Sequence, residues 1–212
     1  MSADILGRES FVSHMPGSLG EQTQTAAEES ARAGARSGLD ALFVPDSVAV
    51  IGATERPGTV GRTVLSNLIE SRFRSKVYAI NPSHSEVLGL KAYKSIGDIP
   101  KQVDLAVVVT PALTVAHVIG ECVDAGVKAA VVISAGFREQ GPDGAALEQQ
   151  IQQQLRRGTM RLIGPNCLGI MNPEIGLNAT FAKGTPKPGN VAFLSQSGAL
   201  LTAILEIGRA HV

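Results

Sequence analysis

Several things are scarce in this sequence. Its 212 residues hold no tryptophan, only two tyrosines and six phenylalanines, two cysteines, and 19 acidic residues against 19 basic ones. Two cysteines build neither a disulfide framework nor a tetrahedral zinc site, so no metal is expected. A formal net charge of zero lacks the basic footprint of a chain that tracks nucleic acid or an anionic membrane. Long apolar runs are missing too: Leu105-Ala106-Val107-Val108-Val109 is strand length, far short of a bilayer span. The start, Met-Ser-Ala-Asp-Ile-Leu-Gly-Arg-Glu, carries early acids and no apolar stretch, so it does not read as a secretory signal. What is present is 44% hydrophobic, with 23 glycines. That is enough to bury a sizeable core. A soluble, cytoplasmic protein with one full domain and something smaller is the expectation.

Residues 1–38 are rich in Ser, Ala, Gly, Glu, Gln and Thr, and their apolar residues keep no period. They read as a flexible tail, with a partner-binding helix around Gln22–Ala35 as the sharper alternative. From Leu39 strands and helices alternate. Ser47–Ile51, Val77–Ile80, Leu105–Val109, Ala129–Ile133 and Met160–Ile163 are short apolar strands. Between them lie helices carrying Val60, Val64, Leu65, Leu68 and Ile69; Val115, Val118, Ile119, Cys122 and Val123; and, over Gly144–Gly158, Leu147, Ile151 and Leu155. Apolar strands separated by amphipathic helices predict an α/β fold, a Rossmann-like doubly wound parallel sheet over residues 39–175. Residues 176–190, with Pro186-Lys187-Pro188-Gly189, read as a linker. Val191–Leu194 and Ala199–Ile207 then read as the first strand and helix of a truncated second α/β domain in 191–212. One strand and one helix close no core, so Leu200, Leu201, Ile204 and Leu205 lack a sheet to cover and association is expected.

In a doubly wound sheet, ligands bind at the carboxyl ends of the strands. The first such loop is Gly52-Ala53-Thr54-Glu55-Arg56-Pro57-Gly58-Thr59-Val60-Gly61. Its glycines permit close backbone approach, the following helix offers free N–H groups, and Thr54 and Arg56 suit anionic oxygens. The structural alternative is a glycine turn needed only for tight packing. A dinucleotide fingerprint requires a Gly-x-Gly-x-x-Gly spacing and an acid ending the second strand, where this chain has Asn81-Pro82. A P-loop requires a lysine that Gly58-Thr59 lacks. A ligand with a diphosphate, a further phosphate and no carboxylate on its ribose fits better, and coenzyme A is one.

Five motifs then follow in order: Ser47–Gly61, Val108–Ala112, Ile133-Ser134-Ala135-Gly136-Phe137, Ile163-Gly164-Pro165-Asn166-Cys167-Leu168-Gly169 and Leu194-Ser195-Gln196-Ser197-Gly198. Together, over residues 39–207, they resemble the CoA-binding half of the NDP-forming acyl-CoA synthetases, among them ADP-forming acetate–CoA ligase and the succinyl-CoA synthetase α subunit. The chain is also similar to fused proteins that add an N-acetyltransferase domain. The resemblance implies that Gly52, Ala53, Thr54, Arg56 and Gly58 cradle the CoA phosphates. It puts Asn81 and Pro82 beside the nucleotide and Val109, Thr110 and Pro111 along it. Ser134, Ala135, Gly136, Phe137, Asn166 and Cys167 would lie towards the thiol. Ser195, Gln196, Ser197 and Gly198 would hold a phosphoryl group at a helix start, a plain N-cap being the alternative. The resemblance makes the second domain flavodoxin-like.

Departures matter. Where the family often has a lysine or arginine after Asn-Pro, this chain has Ser83 and His84. Cys167 reads as a wall residue and Cys122 as core, and His117 has no evident partner. The phosphorylated histidine of the family matches none of His14, His84, His117 and His211. The implied function is thus the CoA-binding portion of an acyl-CoA ligase, inactive alone, which needs an ATP-grasp domain or subunit and is oligomeric at full length. The alternative is a CoA- or acetyl-CoA-binding regulatory module of a protein lysine N-acetyltransferase.

Overall fold

The computed structural model describes residues 38–210. The expected N-terminal tail apart from Gly38, the helix considered at Gln22–Ala35, His14 and His211 lie outside them.

Every residue of the first strand, β1 (Ser47–Ile51), is buried, as an interior parallel strand requires. Around it stand β2 (Lys76–Ile80), β3 (Glu86–Val87), β4 (Leu90–Tyr93), β5 (Leu105–Val108), β6 (Ala129–Val132) and β7 (Arg161–Ile163). They form a seven-stranded sheet in the order β3-β4-β2-β1-β5-β6-β7. Only β3 runs antiparallel to its neighbour; β1 pairs parallel with β2 on one side and β5 on the other. The chain moves outward from β1 to β2 and β4, then crosses back to β5 and on to β6 and β7. The switch point therefore lies beside β1, and the doubly wound expectation holds.

Period-two alternation sorts the strands onto two cores. Val48 and Val50 of β1, with Leu105, Val107, Ala129 and Val131, pack on one face. Ala49, Ile51, Ala106, Val108, Ala130 and Val132 pack on the other. The first face is covered by α1 (Asp40–Phe43) and α2 (Val60–Glu70), the second by α3 (Ala112–Asp124) and α4 (Pro142–Leu155). Proline at the first turn of α4 fits, because the missing N–H there has no intrahelical acceptor. In α2 the buried stripe is Gly61, Val64, Leu65 and Leu68. Val60 and Ile69, expected on that face, are exposed: they lie at opposite flanks of the stripe, each about 90° from its centre, and at the two ends of the helix.

Two hairpins were not anticipated from sequence. β3 and β4 add an antiparallel edge, and β8 (Gly169–Asn172) pairs with β9 (Leu177–Thr180) as a separate two-stranded ribbon. The ribbon helps α2 cover the first face: Ile170, Leu177 and Ala179 join that core. Asn67 of α2 donates through Nδ2 to the Thr180 and Ala182 carbonyls at 2.8 and 3.0 Å. The expected boundary at residue 175 falls inside this hairpin, and packed structure continues to Ala182, which is buried.

Beyond it, Val191–Leu194 is not a strand; no ladder includes it among the described residues. A strand is a property of a pair, and here no neighbour supplies one. Val191 and Leu194 are 85% and 84% exposed. Helix α5 (Gly198–Ala210) does form, with Leu200, Ile204 and Ile207 exposed and Leu201 and Leu205 half-buried. No described helix is long and apolar enough to cross a membrane.

At the amino-terminal edge of the sheet one carboxylate joins three strands. Asp104 accepts the Asp46 N–H at 2.8 Å and lies 2.8 Å from Lys128 Nζ. Its own N–H donates to Ser47 Oγ at 3.0 Å, and its carbonyl accepts the Ala129 N–H at 2.9 Å.

Candidate functional site

The loops after β1, β2, β5, β6 and β7 all leave the same edge of the sheet, because those strands are mutually parallel. They are stitched to one another. Asn81 Nδ2 donates to the Ala53 carbonyl at 2.8 Å. Gly52, at φ +97°, lies so close to the next loop that a Cβ would sit 3.1 Å from the Val109 carbonyl and the Thr110 methyl. Ser134 Oγ donates to the Thr110 carbonyl at 2.6 Å, and the Asn166 N–H donates to the Ser134 carbonyl at 2.9 Å. Gly52, Ala53, Asn81, Val109, Thr110, Ser134 and Asn166 thus stand on one continuous rim.

The glycines divide by role. A Cβ at Gly61 would collide with the Gly52 carbonyl oxygen, so Gly61 lets α2 start against the end of β1. Close packing, the alternative considered for this loop, accounts for Gly52 and Gly61. Gly58 has φ +75° with nothing near its missing side chain, which makes it a turn residue. Between them the loop is tied down. The Arg56 N–H donates to Thr54 Oγ1 at 3.2 Å, and Thr59 Oγ1 donates to the Arg56 carbonyl at 2.7 Å. Arg62 donates to the Glu55 carbonyl, and the Glu55 carboxylate accepts the Leu88 N–H at 2.9 Å. Thr59 Oγ1 makes no cap to α2, and the first-turn N–H groups keep no side-chain acceptor among the described residues. Arg56 is exposed, with no ion pair recorded among the described residues.

Not every predicted residue offers a side chain. Ala53 and Phe137 are fully buried in the cores, so only their backbones face the rim. Pro82 and Ala135 are exposed, as are Ser83 and His84. Pro111 begins α3 without a side-chain cap. Thr110 Oγ1 is buried with no hydrogen-bond partner, alone in this among the buried side-chain nitrogens and oxygens of the described residues. Burial pushes the Cys167 thiol up to about 11, backbone donors opposing only in part. It is therefore protonated near neutrality, and Sγ donates to the Val132 carbonyl at 3.3 Å. A protonated, hydrogen-bonded thiol is a wall, not a nucleophile. Cys122 is core, and burial raises it to about 12.

Ser195–Gly198 opens α5 within reach of the Cys167-Leu168 loop: a Cβ on Gly198 would be 3.8 Å from Leu168 Cβ. Its hydroxyls are in use. Ser197 Oγ accepts the Leu200 N–H at 3.3 Å, and Ser195 Oγ accepts the Ser197 N–H at 3.0 Å. This is the N-cap geometry. Gln196 is exposed.

Sequence reasoning missed two features. His117 does have a neighbour, Glu121, at 3.7 Å one helical turn on, a pairing its spacing could have signalled. Glu139 folds back onto the Gly136 N–H at 2.6 Å. A depression lined by Ile96, Lys101, Gln102, Glu121 and Asp124 lies at the opposite, amino-terminal edge, away from the rim. No group of three or more potential metal ligands occurs among the described residues.

A family model described as a CoA binding domain matches residues 46–173. The chain is 48% identical over 168 residues to an ADP-forming acetate–CoA ligase I of Archaeoglobus fulgidus, covering 79% of this chain and 24% of that one. It is 50% identical over 169 residues to an ADP-forming acetate–CoA ligase of Methanocaldococcus jannaschii, covering 80% and 23%. Among solved structures, a dinucleotide-forming acetyl-coenzyme A synthetase 1 of Ca. Korarchaeum cryptofilum, in complex with phosphate and ADP, matches at a TM-score of 0.75 and 44% identity. That match covers 80% of this chain and 36% of that one. The chain therefore spans about a quarter of the length of these two ligases.

Proposed function

Since the chain belongs to the CoA binding domain family, we propose that its laced rim holds coenzyme A as the CoA-binding portion of an ADP-forming acyl-CoA ligase. The observation that carries this reading is the convergence of five loops on one edge at the switch point, where the fold rule puts a ligand. The residues present fit the group. Gly52, Ala53, Thr54, Arg56 and Gly58 surround an uncapped helix start suited to phosphate, and the exposed Arg56 guanidinium can reach anionic oxygens. Asn81 and Pro82 border the nucleotide, and Val109, Thr110 and Pro111 line its path; the unpartnered Thr110 hydroxyl supports a polar ligand there. Ser134–Phe137, Asn166 and Cys167 lie towards the thiol, with Cys167 as wall. Coenzyme A supplies the thiol that carries the acyl group.

The phosphohistidine and the ATP-grasp domain or subunit belong to the rest of such a ligase, in cis or in trans. Ser195–Gly198 would present N–H groups to the phosphoryl group it passes. Full-length oligomerisation and a cytoplasmic setting are part of the same proposal. The relatives named above are ligases, which favours this reading over a regulatory module of an acetyltransferase.

Calorimetric titration with CoA, with NAD and ATP as controls at the same salt, tests the reading. Binding of CoA alone is expected, weakened about tenfold or more by Arg56→Ala, since a hydrogen bond to a charged group contributes about 1.5–3 kcal/mol. A folded chain that gives no heat with CoA would remove this edge as a self-sufficient site.

A further inference from the structure

Two connections of this sheet lack the helix that parallel neighbours usually receive. Between β2 and β4 stands the β3 strand of a hairpin, and between β4 and β5 only the 3-10 turn Ile96–Asp98. The second face is thinly covered over β2 and β4 as a result, and the side chains it presents there are aromatic and basic. Ile80 stands opposite Tyr93 and Ala79 opposite Ala92. Period two then puts Lys76, Tyr78 and Ile80 of β2 on one face with Lys91 and Tyr93 of β4. Tyr78 and Tyr93 meet edge to face with ring centroids 6.0 Å apart, and Lys91 Nζ lies 5.0 Å from the centre of the Tyr93 ring. Both rings pack against the second core and remain half-buried.

Charge on this face is mostly of one sign. Lys76 and Lys91 are exposed, as is Lys101 beside the depression that Ile96 also lines. None of the three enters an ion pair among the described residues. Glu86 stands opposite Lys91 in the hairpin register without closing to one. Asp98 is engaged elsewhere, accepting the Ser95 N–H and hydroxyl at 2.9 and 3.0 Å. In a chain of 19 acids and 19 bases, these lysines are locally uncompensated.

We propose that the Tyr78–Tyr93 face of β2 and β4 is a docking surface for an acidic segment of a partner protein. The tyrosine pair supplies a rigid amphipathic anchor of the kind concentrated at interface centres, and the lysines form a rim that steers carboxylates and pairs with them. Three spaced lysines beside an acid do not make the run of phosphate contacts that holds a nucleic acid. None of these residues is given to CoA above, so the proposal does not rest on the CoA reading.

The chain reports on this face by itself, because Tyr78 and Tyr93 are its two tyrosines and it holds no tryptophan. Tyrosine fluorescence of the whole chain, titrated with a poly-glutamate peptide, should show a saturating change that high salt abolishes. Reversing two charges together, Lys76→Glu with Lys91→Glu, should raise the half-saturation concentration by roughly tenfold, since each reversal turns an attraction into a repulsion. Lys76→Gln with Lys91→Gln should raise it less, and poly-lysine should leave the signal unchanged. A missing response, one equal in wild type and both variants, or one that poly-lysine reproduces overturns the proposal. So does a thymidine oligonucleotide that saturates at lower concentration than poly-glutamate, which would make this a nucleic-acid surface. If the charge reversal unfolds the chain, the glutamine pair decides, and half-saturation unchanged from wild type overturns the proposal.

Discussion

Residues 39–182 and residues 183–207 hold similar apolar side chains and treat them in opposite ways. In the first region Val48, Val50, Val107 and Val131 vanish between sheet and helices; in the second Val191, Leu194, Leu200 and Ile207 face outward. The difference lies in what stands next to them. β1 has β2 on one side and β5 on the other, whereas Val191–Leu194 has no ladder partner. Apolar sequence states a capacity for burial, and only a neighbour turns it into a strand and a core.

The largest effect that could break this contrast comes from truncating one leucine in each region. Leu65→Ala should destabilise the fold by about 2–5 kcal/mol, the cost of an unfilled core cavity. Leu200→Ala should change stability by less than about 0.5 kcal/mol, as an exposed position does. Urea denaturation measures both, and equal losses would show that residues 183–207 belong to the same cooperative unit.

A smaller effect tests the one imperfection on the laced side. Thr110→Val keeps the shape and removes the unpartnered hydroxyl, so it should stabilise the protein by about 1 kcal/mol. If the hydroxyl serves the ligand, CoA affinity should fall at the same time. A loss of stability would reveal a partner for this oxygen within the folded chain.

The smallest effect concerns the rim's outermost turn. The Glu139 carboxyl is held below its ordinary value by backbone donors. Its contribution is therefore complete above the unfolded value of about 4.3 and is lost as pH falls through the folded one. As pH falls below that unfolded value, the Gly136 amide should lose protection from hydrogen exchange in the wild type and show no such step in Glu139→Gln. A step of the same size in the variant would assign it to another carboxylate.

Much of the fold was legible because the sheet is buried on both faces. Val48–Ile51 and Leu105–Val109 are apolar throughout, and only a central parallel strand asks for that. The edge and ribbon strands were not legible. Glu86–Val87 and Leu90–Tyr93 are short and mixed, and β8–β9 carries Asn172 and Asn178 where a simple apolar run would stand out. Asn178 is buried but satisfied, donating to Thr185 Oγ1 at 3.0 Å and accepting from Thr180 Oγ1 at 2.8 Å, contacts no periodicity announces. At the candidate site the loops could be located from glycine, proline and strand ends. Their stitching could not, since Asn81 to Ala53 and Ser134 to Thr110 join residues 28 and 24 positions apart. Val191–Leu194 differs from its expected strand for the same reason: its residues suit a strand, and no neighbour among the described residues supplies a ladder.

The Asp104 knot carries a consequence for how the molecule comes to be. Its link to Asp46 closes a loop of 58 residues, and Lys128 and Ala129 reach it only when β6 arrives. None of these bonds can be made by a hairpin or a single helix forming by itself. Parallel pairing over such separations slows assembly, because loop entropy is lost before contacts compensate it. A probe on Asp104 would therefore read the arrival time of three strands at once. Asp104→Asn should slow refolding only if that meeting is already in place at the kinetic barrier, and should otherwise hasten unfolding.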